Sequence, residues 1–272
     1  MVIKNEERWI DEHYQEPSAP HTSVAPDHML LIDADIMYHR AGFAVEEKFD
    51  FDGVTIHASD CEDGMHLFHR LLTGILKNLN TTRFVLCWSG NTNFRQSVDP
   101  GYKANRSGMR RPQGGTELKK ALLRKYPSIL VEGLEADDLM GLNSGVGTII
   151  VSDDKDMMTV PGLHYRPRKP EEGIQLVNEA DAMHRWYQQI LMGDRVDGYA
   201  GIPGIGEKKS QKILNDGGLR WLTVLQAYLD NGLSEEDAIR TAQLARILQP
   251  GEWDFTLNKP ILWRPDETLR IS

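Results

Sequence analysis

A chain of 272 residues, 40% hydrophobic and 26% charged, is long enough for one large α/β domain or for a core with a small helical module. No apolar stretch approaches the length of a membrane span, and Cys61 and Cys87 provide neither a disulfide framework nor zinc spacing; both read as buried small hydrophobes in a reducing cytoplasm. The net charge of −9 argues against a polyanionic partner only if it is evenly spread, and it is not.

The N-terminal stretch to Pro26 is polar, carries both charge signs and lacks the apolar centre of a signal peptide, so it reads as an arm ahead of the folded part. Met29 to Asp33 reads as a first strand, a continuous apolar run of the kind that is buried on both faces. Asp60 to Leu79 has helical spacing, with Leu67, Leu71, Ile75 and Leu79 on one stripe. Arg83 to Trp88 is a second strand, Ser89 to Asn93 a polar turn, and Phe94 to Arg111 an irregular basic segment punctuated by Pro100, Gly101 and Gly108. A helix over Thr116–Lys125, a strand over Ser128–Val131, a short helix over Glu135–Asn143 and a strand over Gly147–Ser152 follow. Short strands are expected near His164 and Ile174, and a helix over Asn178–Met192. This alternation predicts a mainly parallel sheet. After Gly193 the character changes: a glycine-dense turn, Gly201–Gly206, leads into a basic helix, and two further helices are expected over Leu219–Leu229 and Ser234–Leu248, the last opened by a capping-box pattern.

Acidic residues collect where the apolar runs end. Asp33 and Asp35 close the first; Glu135, Asp137 and Asp138 follow Ile129-Leu130-Val131; Asp153, Asp154 and Asp156 follow the run ending at Val151; Asp194 and Asp197 follow the helix ending at Met192. Ligands of open α/β sheets gather at the carboxyl ends of the strands, so these acids are candidates for a shared edge. Carboxylates packed together repel and take up protons unless a hard divalent cation such as magnesium neutralises them. Glu135 and Asp137 lie about 200° apart on an ideal helix, at roughly 100° per residue. They can share a site only if Glu135 stands at the helix entrance, a position that favours a carboxylate whether it binds a metal or merely caps. Tyr102–Lys125 carries eight basic residues and one acid, for +7, which leaves −16 on the rest of the chain. A basic segment followed directly by an acidic cluster suits a polyanion held against bound cations. The Gly201–Gly206 turn, followed by Lys208, Lys209 and Lys212, has the composition of a backbone phosphate cradle, but not the spacing of a Walker loop.

Asp33 after its strand, Phe94-Arg95, Tyr102-Lys-Ala-Asn-Arg106, Glu135-Ala-Asp-Asp138, Ser152-Asp-Asp-Lys-Asp156, and Asp194 through Asp197 to Gly201-Ile-Pro-Gly-Ile-Gly206 occur in the order that resembles the flap endonuclease / 5′→3′ exonuclease family. That family includes the 5′-nuclease domain of bacterial DNA polymerase I, and the later segments Asp197–Gly201, Gln243–Leu248 and Leu262–Pro265 resemble its podophage-type exonucleases. After the polar arm, taken as 1–27, the resemblance implies a PIN-like α/β nuclease core over 28–192 with a helical arch at about 100–125, and a helix–three-turn–helix DNA-binding module with C-terminal helices over 193–272. It implies two Mg2+ ions, replaceable by Mn2+: a first held by Asp33, Glu135, Asp137 and Asp138, a second by Asp154, Asp156, Asp194 and Asp197. By the same resemblance Lys103 and Arg106 would take the catalytic positions near the scissile phosphate. Tyr38, Arg95, Tyr102, Arg110, Arg111, Gly201, Gly204, Gly206, Lys208 and Lys209 are expected to contact DNA, with K+ as an option at the glycine turn. The expected substrate is duplex DNA with a 5′ end or flap, cleaved in a cytoplasm (the host's, if the chain is phage-encoded), without membrane or assigned protein partner.

One departure stands out. Many relatives carry an aspartate after the second strand, where this chain has Trp88-Ser-Gly-Asn91 and no carboxylate before Arg95; Asp35 is the candidate to compensate through water. Two other readings compete. Asp33-Ala-Asp35 resembles the nucleophile motif of haloacid-dehalogenase-type phosphatases, and the missing acid suits a non-catalytic DNA-binding relative.

Overall fold

The computed structural model describes residues 27–106 and 108–265. The expected N-terminal arm lies outside the described residues. At the centre is a six-stranded sheet built from β1 (Met29–Asp33), β4 (Phe84–Asn93), β5 (Ser128–Gly133), β6 (Thr148–Val151), β7 (Gly162–Tyr165) and β8 (Ile174–Val177), in the order β5-β4-β1-β6-β7-β8. All neighbours are parallel except the last pair, β7 with β8. The parallel strands are covered on both faces, which is why β1 and β6 are continuous apolar runs. One face packs Leu30, Ile32, Leu86, Trp88 and Ile149 against helices α1 (Ala34–Ala44), α2 (Cys61–Asn78) and α4 (Gly115–Lys125). The other packs Leu31, Cys87 and Ile150 against α5 (Ala136–Leu142) and the C-terminal Ile247, Leu248 and Trp253.

Four elements differ from the sequence reading. Helix α1 carries no clear apolar period; it forms because Asp33 caps it, accepting a hydrogen bond from the Ile36 amide at 3.1 Å. A two-stranded ribbon, β2 (Glu47–Phe51) with β3 (Val54–Ala58), projects between α1 and α2. The expected polar turn at Ser89–Asn93 is instead the extension of β4, held by Glu132, whose carboxylate accepts from the Asn91 amide at 2.9 Å. The basic segment is interrupted by the four-residue α3 (Arg95–Val98).

Helix α6 (Glu179–Met192) shares a second core with α7 (Glu207–Gly217), α8 (Trp221–Asp230) and α9 (Glu235–Ala245), built on Trp186, Ile190, Leu214, Trp221, Val224, Tyr228 and Ala242. The helical unit therefore packs against the helix before Gly193, one element earlier than the composition shift suggests. Between α6 and α7, β9 (Gly193–Asp194) pairs with β10 (Tyr199–Ala200), so Asp194 and Asp197 stand on one tight hairpin. Later, β11 (Trp253–Asp254) pairs with β12 (Lys259–Pro260). No helix among the described residues is long and apolar enough to cross a membrane.

Candidate active site

The carboxyl ends of β1, β4, β5 and β6 form one edge of the sheet, and the acids gather there. Asp33 ends β1. It is 4% exposed and accepts hydrogen bonds from the Ile36 amide and, at 2.9 Å, from the Ser152 hydroxyl beyond β6. Burial, reinforced by Asp35 and Asp154, pushes its carboxyl up to about 7. Asp137 on the first turn of α5 is raised well above the ordinary carboxylate range, first by burial and then by Asp33, Asp154 and Glu135. Asp156 is pushed up to about 6 by burial together with Asp154 and Asp194. Asp194 acts in turn on Asp197, whose carboxyl is also raised by burial. The edge is thus an electrostatically continuous set of acids, four of them protonated too readily for ordinary aspartates.

Glu135 stands at the N-cap of α5 in extended backbone, φ −87° and ψ 163°. That conformation swings its side chain out of helical register and brings it beside Asp137 despite the roughly 200° that separates them on an ideal helix. Burial opposes its ionisation, but Lys103 and Arg95 hold the carboxyl down to about 2. Lys103 Nζ donates to one Glu135 oxygen at 2.5 Å, and the Tyr102 hydroxyl donates to the other at 2.9 Å. Arg106 pairs with Asp197 at 2.5 Å, and Lys103 also approaches Asp197 at 3.6 Å. The segment is docked by its backbone too: the Lys103 amide donates to the Asp197 carbonyl at 2.8 Å, with Lys103 at φ 55°.

Several expected site residues take other places. Asp138 is fully buried, and its two oxygens face Arg95 in a bidentate pair at 2.7 and 2.8 Å. They also accept from the Leu248 and Glu135 amides, both at 3.2 Å, which leaves no lone pair for a metal. Arg95 is 2% exposed and donates in addition to the Leu244 and Arg246 carbonyls, so it clamps α3 and α5 to the end of α9 and is not available to DNA. Tyr102 is buried between Glu135 and Asp197, facing the acids rather than a duplex. Tyr38 is buried edge-on to Trp88, with ring centres 6.1 Å apart. Its hydroxyl fills the space a Cβ on Gly115 would need, so it is not presented to a terminal base. One guanidinium nitrogen of Arg110 donates to both oxygens of Glu46, whose carboxylate also accepts from the Gln113 amide, and so fastens the segment to the base of the β2–β3 ribbon. Arg111 is exposed.

The glycine turn divides in the same way. Gly201 lies against Gly193, where any Cβ would strike backbone at 2.3 Å; it closes the β9–β10 hairpin and does not face outward. Gly204, at φ 76°, Gly206, Lys208 and Lys209 are exposed at the start of α7, where backbone amides and the helix dipole favour an anion. The Lys209 ammonium donates to the Gly204 carbonyl at 3.0 Å, so an internal cation already occupies one acceptor that K+ would need.

Two further site residues escaped the sequence reading. Ser152 orients Asp33, and its place beside the Asp153–Asp156 run was its only signal. Ser89 lies in the Trp88–Asn91 stretch, which carries no carboxylate: its amide donates to Asp35 at 2.9 Å and its hydroxyl accepts from the Ala136 amide at 3.0 Å. Asp35 is therefore engaged with Ser89, and its other oxygen faces Lys119 at 3.7 Å, so it is not a free substitute ligand.

The donor set at this edge is all carboxylate, the chemistry of Mg2+ or Mn2+ rather than of zinc or copper. Among the described residues no group of three or more acidic, histidine or cysteine side chains is gathered closely enough to hold a metal ion by itself. A magnesium-type ion asks for few protein carboxylates, because it keeps several waters and completes its shell with substrate phosphate. The raised Asp33, Asp137 and Asp156 are carboxylates whose acidic neighbours outweigh any nearby lysine, and the ones a divalent cation would relieve.

Residues 28–186 match the family model described as the 5′-3′ exonuclease N-terminal resolvase-like domain. Over 87% of its length the chain is 29% identical to the exonuclease of Escherichia phage T7, with 93% of that protein covered. It is 28% identical to DNA polymerase I of Bacillus caldotenax over 90% of the chain, which corresponds to 29% of the polymerase. The fold is similar to that of the D15 protein of phage T5 crystallised with metal ions: TM-score 0.60, 17% identity, 80% of this chain and 88% of that one covered.

Proposed function

Because this chain belongs to the 5′-3′ exonuclease family, we propose that it is a divalent-metal-dependent 5′→3′ exodeoxyribonuclease and structure-specific 5′-nuclease that hydrolyses phosphodiester bonds at the 5′ ends or flaps of duplex DNA. The observation that carries the reading is the sheet edge itself, where buried, under-neutralised carboxylates face the paired cations Lys103 and Arg106.

Asp33, Glu135 and Asp137 would hold one cation, and Asp154, Asp156, Asp194 and Asp197 a second. Two such ions, Mg2+ or Mn2+, supply Lewis-acid activation of water and neutralise charge at the phosphate. Ser152 fixes the Asp33 carboxylate, and Tyr102 fixes Glu135 and Asp197. Lys103 and Arg106 are the internal counter-ions of Glu135 and Asp197, and with metal ions bound their N–H groups would be free to stabilise charge developing on the scissile phosphate. The exposed Gly204–Lys208 turn receives the duplex backbone away from the cut. The phosphatase alternative has no support here: Asp33 is buried and hydrogen-bonded through both oxygens, not presented as a nucleophile. Product strands would carry a 5′-phosphate, and the reaction would run in a cytoplasm, that of a host cell for a phage protein.

The deciding experiment is digestion of 5′-labelled duplex and 5′-flap DNA with Mg2+, read on a sizing gel. Mononucleotides identify exonuclease action and longer fragments flap cutting; intact DNA with Mg2+ and with Mn2+ overturns the reading.

A further inference from the structure

Lys119 is the one cation of the basic segment that is held at the acidic edge without being consumed by it. It lies on the second turn of α4, its side chain 28% exposed. Its Nζ donates to the Ser89 carbonyl at 3.1 Å, lies 5.2 Å from the centre of the Trp88 ring and stands 3.7 Å from an Asp35 oxygen. Ser89 is itself bonded to α1 through Asp35 and to α5 through the Ala136 amide, so the ammonium is fixed between the helix that Asp33 caps and the helix that carries Asp137. Lys103 and Arg106 differ in that each donates directly to a carboxylate of the site. An ammonium has three N–H donors. One is used on Ser89, and Asp35 at 3.7 Å is beyond hydrogen-bond reach, so at least one donor remains open on the exposed side.

We propose that Lys119 is a substrate-binding residue: its anchored ammonium holds a non-bridging oxygen of a DNA backbone phosphate as the strand enters the site beside Ser89. The inference rests on the nuclease reading above and adds a specific phosphate contact to it. A rigid cation loses less freedom on binding than a mobile surface lysine, so the contact favours capture of the strand over the chemical step.

The test is cleavage of duplexes that carry a single methylphosphonate, an uncharged phosphate surrogate, at successive positions from the 5′ end, by wild type, Lys119→Met and Lys119→Arg, with thermal melting to confirm folding. Lys119→Met should raise KM about tenfold with a much smaller change in kcat, lower the salt dependence of binding by about one charge, and be partly rescued by Lys119→Arg. One methylphosphonate position should penalise wild type but not Lys119→Met. A folded Lys119→Met with wild-type KM, or with the same penalty as wild type at every position, overturns the inference alone. A wild type that leaves unmodified DNA intact overturns the nuclease reading and this contact together.

Discussion

Asp137 and Asp138 are neighbours in one short helix, yet they belong to two regions with opposite solutions to the same charge. Asp138 points into the junction between the sheet and the C-terminal helices, where Arg95 and two backbone amides satisfy it completely. Asp137 points at the sheet edge, where its nearest charges are Asp33, Asp154 and Glu135, and only Lys103 offsets them. A region neutralised from within is a structural joint. A region left short of positive charge is a receptor for cations from outside, and it carries a cost in stability until they arrive.

Substitutions in the two regions should separate these roles. Asp154→Ala should abolish cleavage while duplex binding largely persists, measured by digestion beside a binding titration; full activity would remove Asp154 from the metal set. Arg95→Met should destabilise the protein by roughly 3–5 kcal/mol, because it leaves a buried carboxylate unpaired. Denaturant unfolding reads that loss, and a small effect would mean the joint is not a joint. Asp137→Asn should do the reverse, raising the metal-free melting temperature at neutral pH while cutting activity, because it removes repulsion rather than a partner.

The same contrast predicts a pH dependence. Asp33 titrates at about 7 in the fold against 3.8 ordinarily, and Asp156 at about 6, so the folded protein binds protons that the unfolded chain has released. Their contribution to stability is complete below about pH 4 and is lost as pH rises through about 6 and 7. Glu135 runs the other way: its contribution is present above 4.5 and disappears as pH falls through about 2. The metal-free melting temperature should therefore fall between pH 5 and pH 8, and Mg2+, which competes with these protons, should raise it more at pH 8. At a hundredfold excess over Kd the stabilisation is about 2.7 kcal/mol. A metal effect that is equal at both pH values would break the link between proton and cation at this edge. The smallest effect is expected at the glycine turn, where Gly204→Ala meets no steric obstacle but must adopt φ 76°, at a cost of roughly 1–2 kcal/mol and with weaker duplex binding.

The sequence by itself determined the parallel sheet, because strands buried on both faces have to be apolar throughout. It also determined the order of the acids at the strand ends, because open α/β sheets leave only that edge for ligands. The glycine turn and the change to a helical unit were legible for the same reason: turns and caps are local chemistry. Helix α1 and the β2–β3 ribbon were not, since α1 rests on one cap and on packing rather than on an apolar period. Which carboxylate faces a cation and which an arginine is not local at all. Asp138 finds Arg95 from 43 positions away, and Asp33 finds Ser152 from 119. Lys119 reaches Ser89 across 30 positions and lies beside Asp35. Charge neutralisation acts through space, so only the tertiary structure decided which of the recurring acids stayed open.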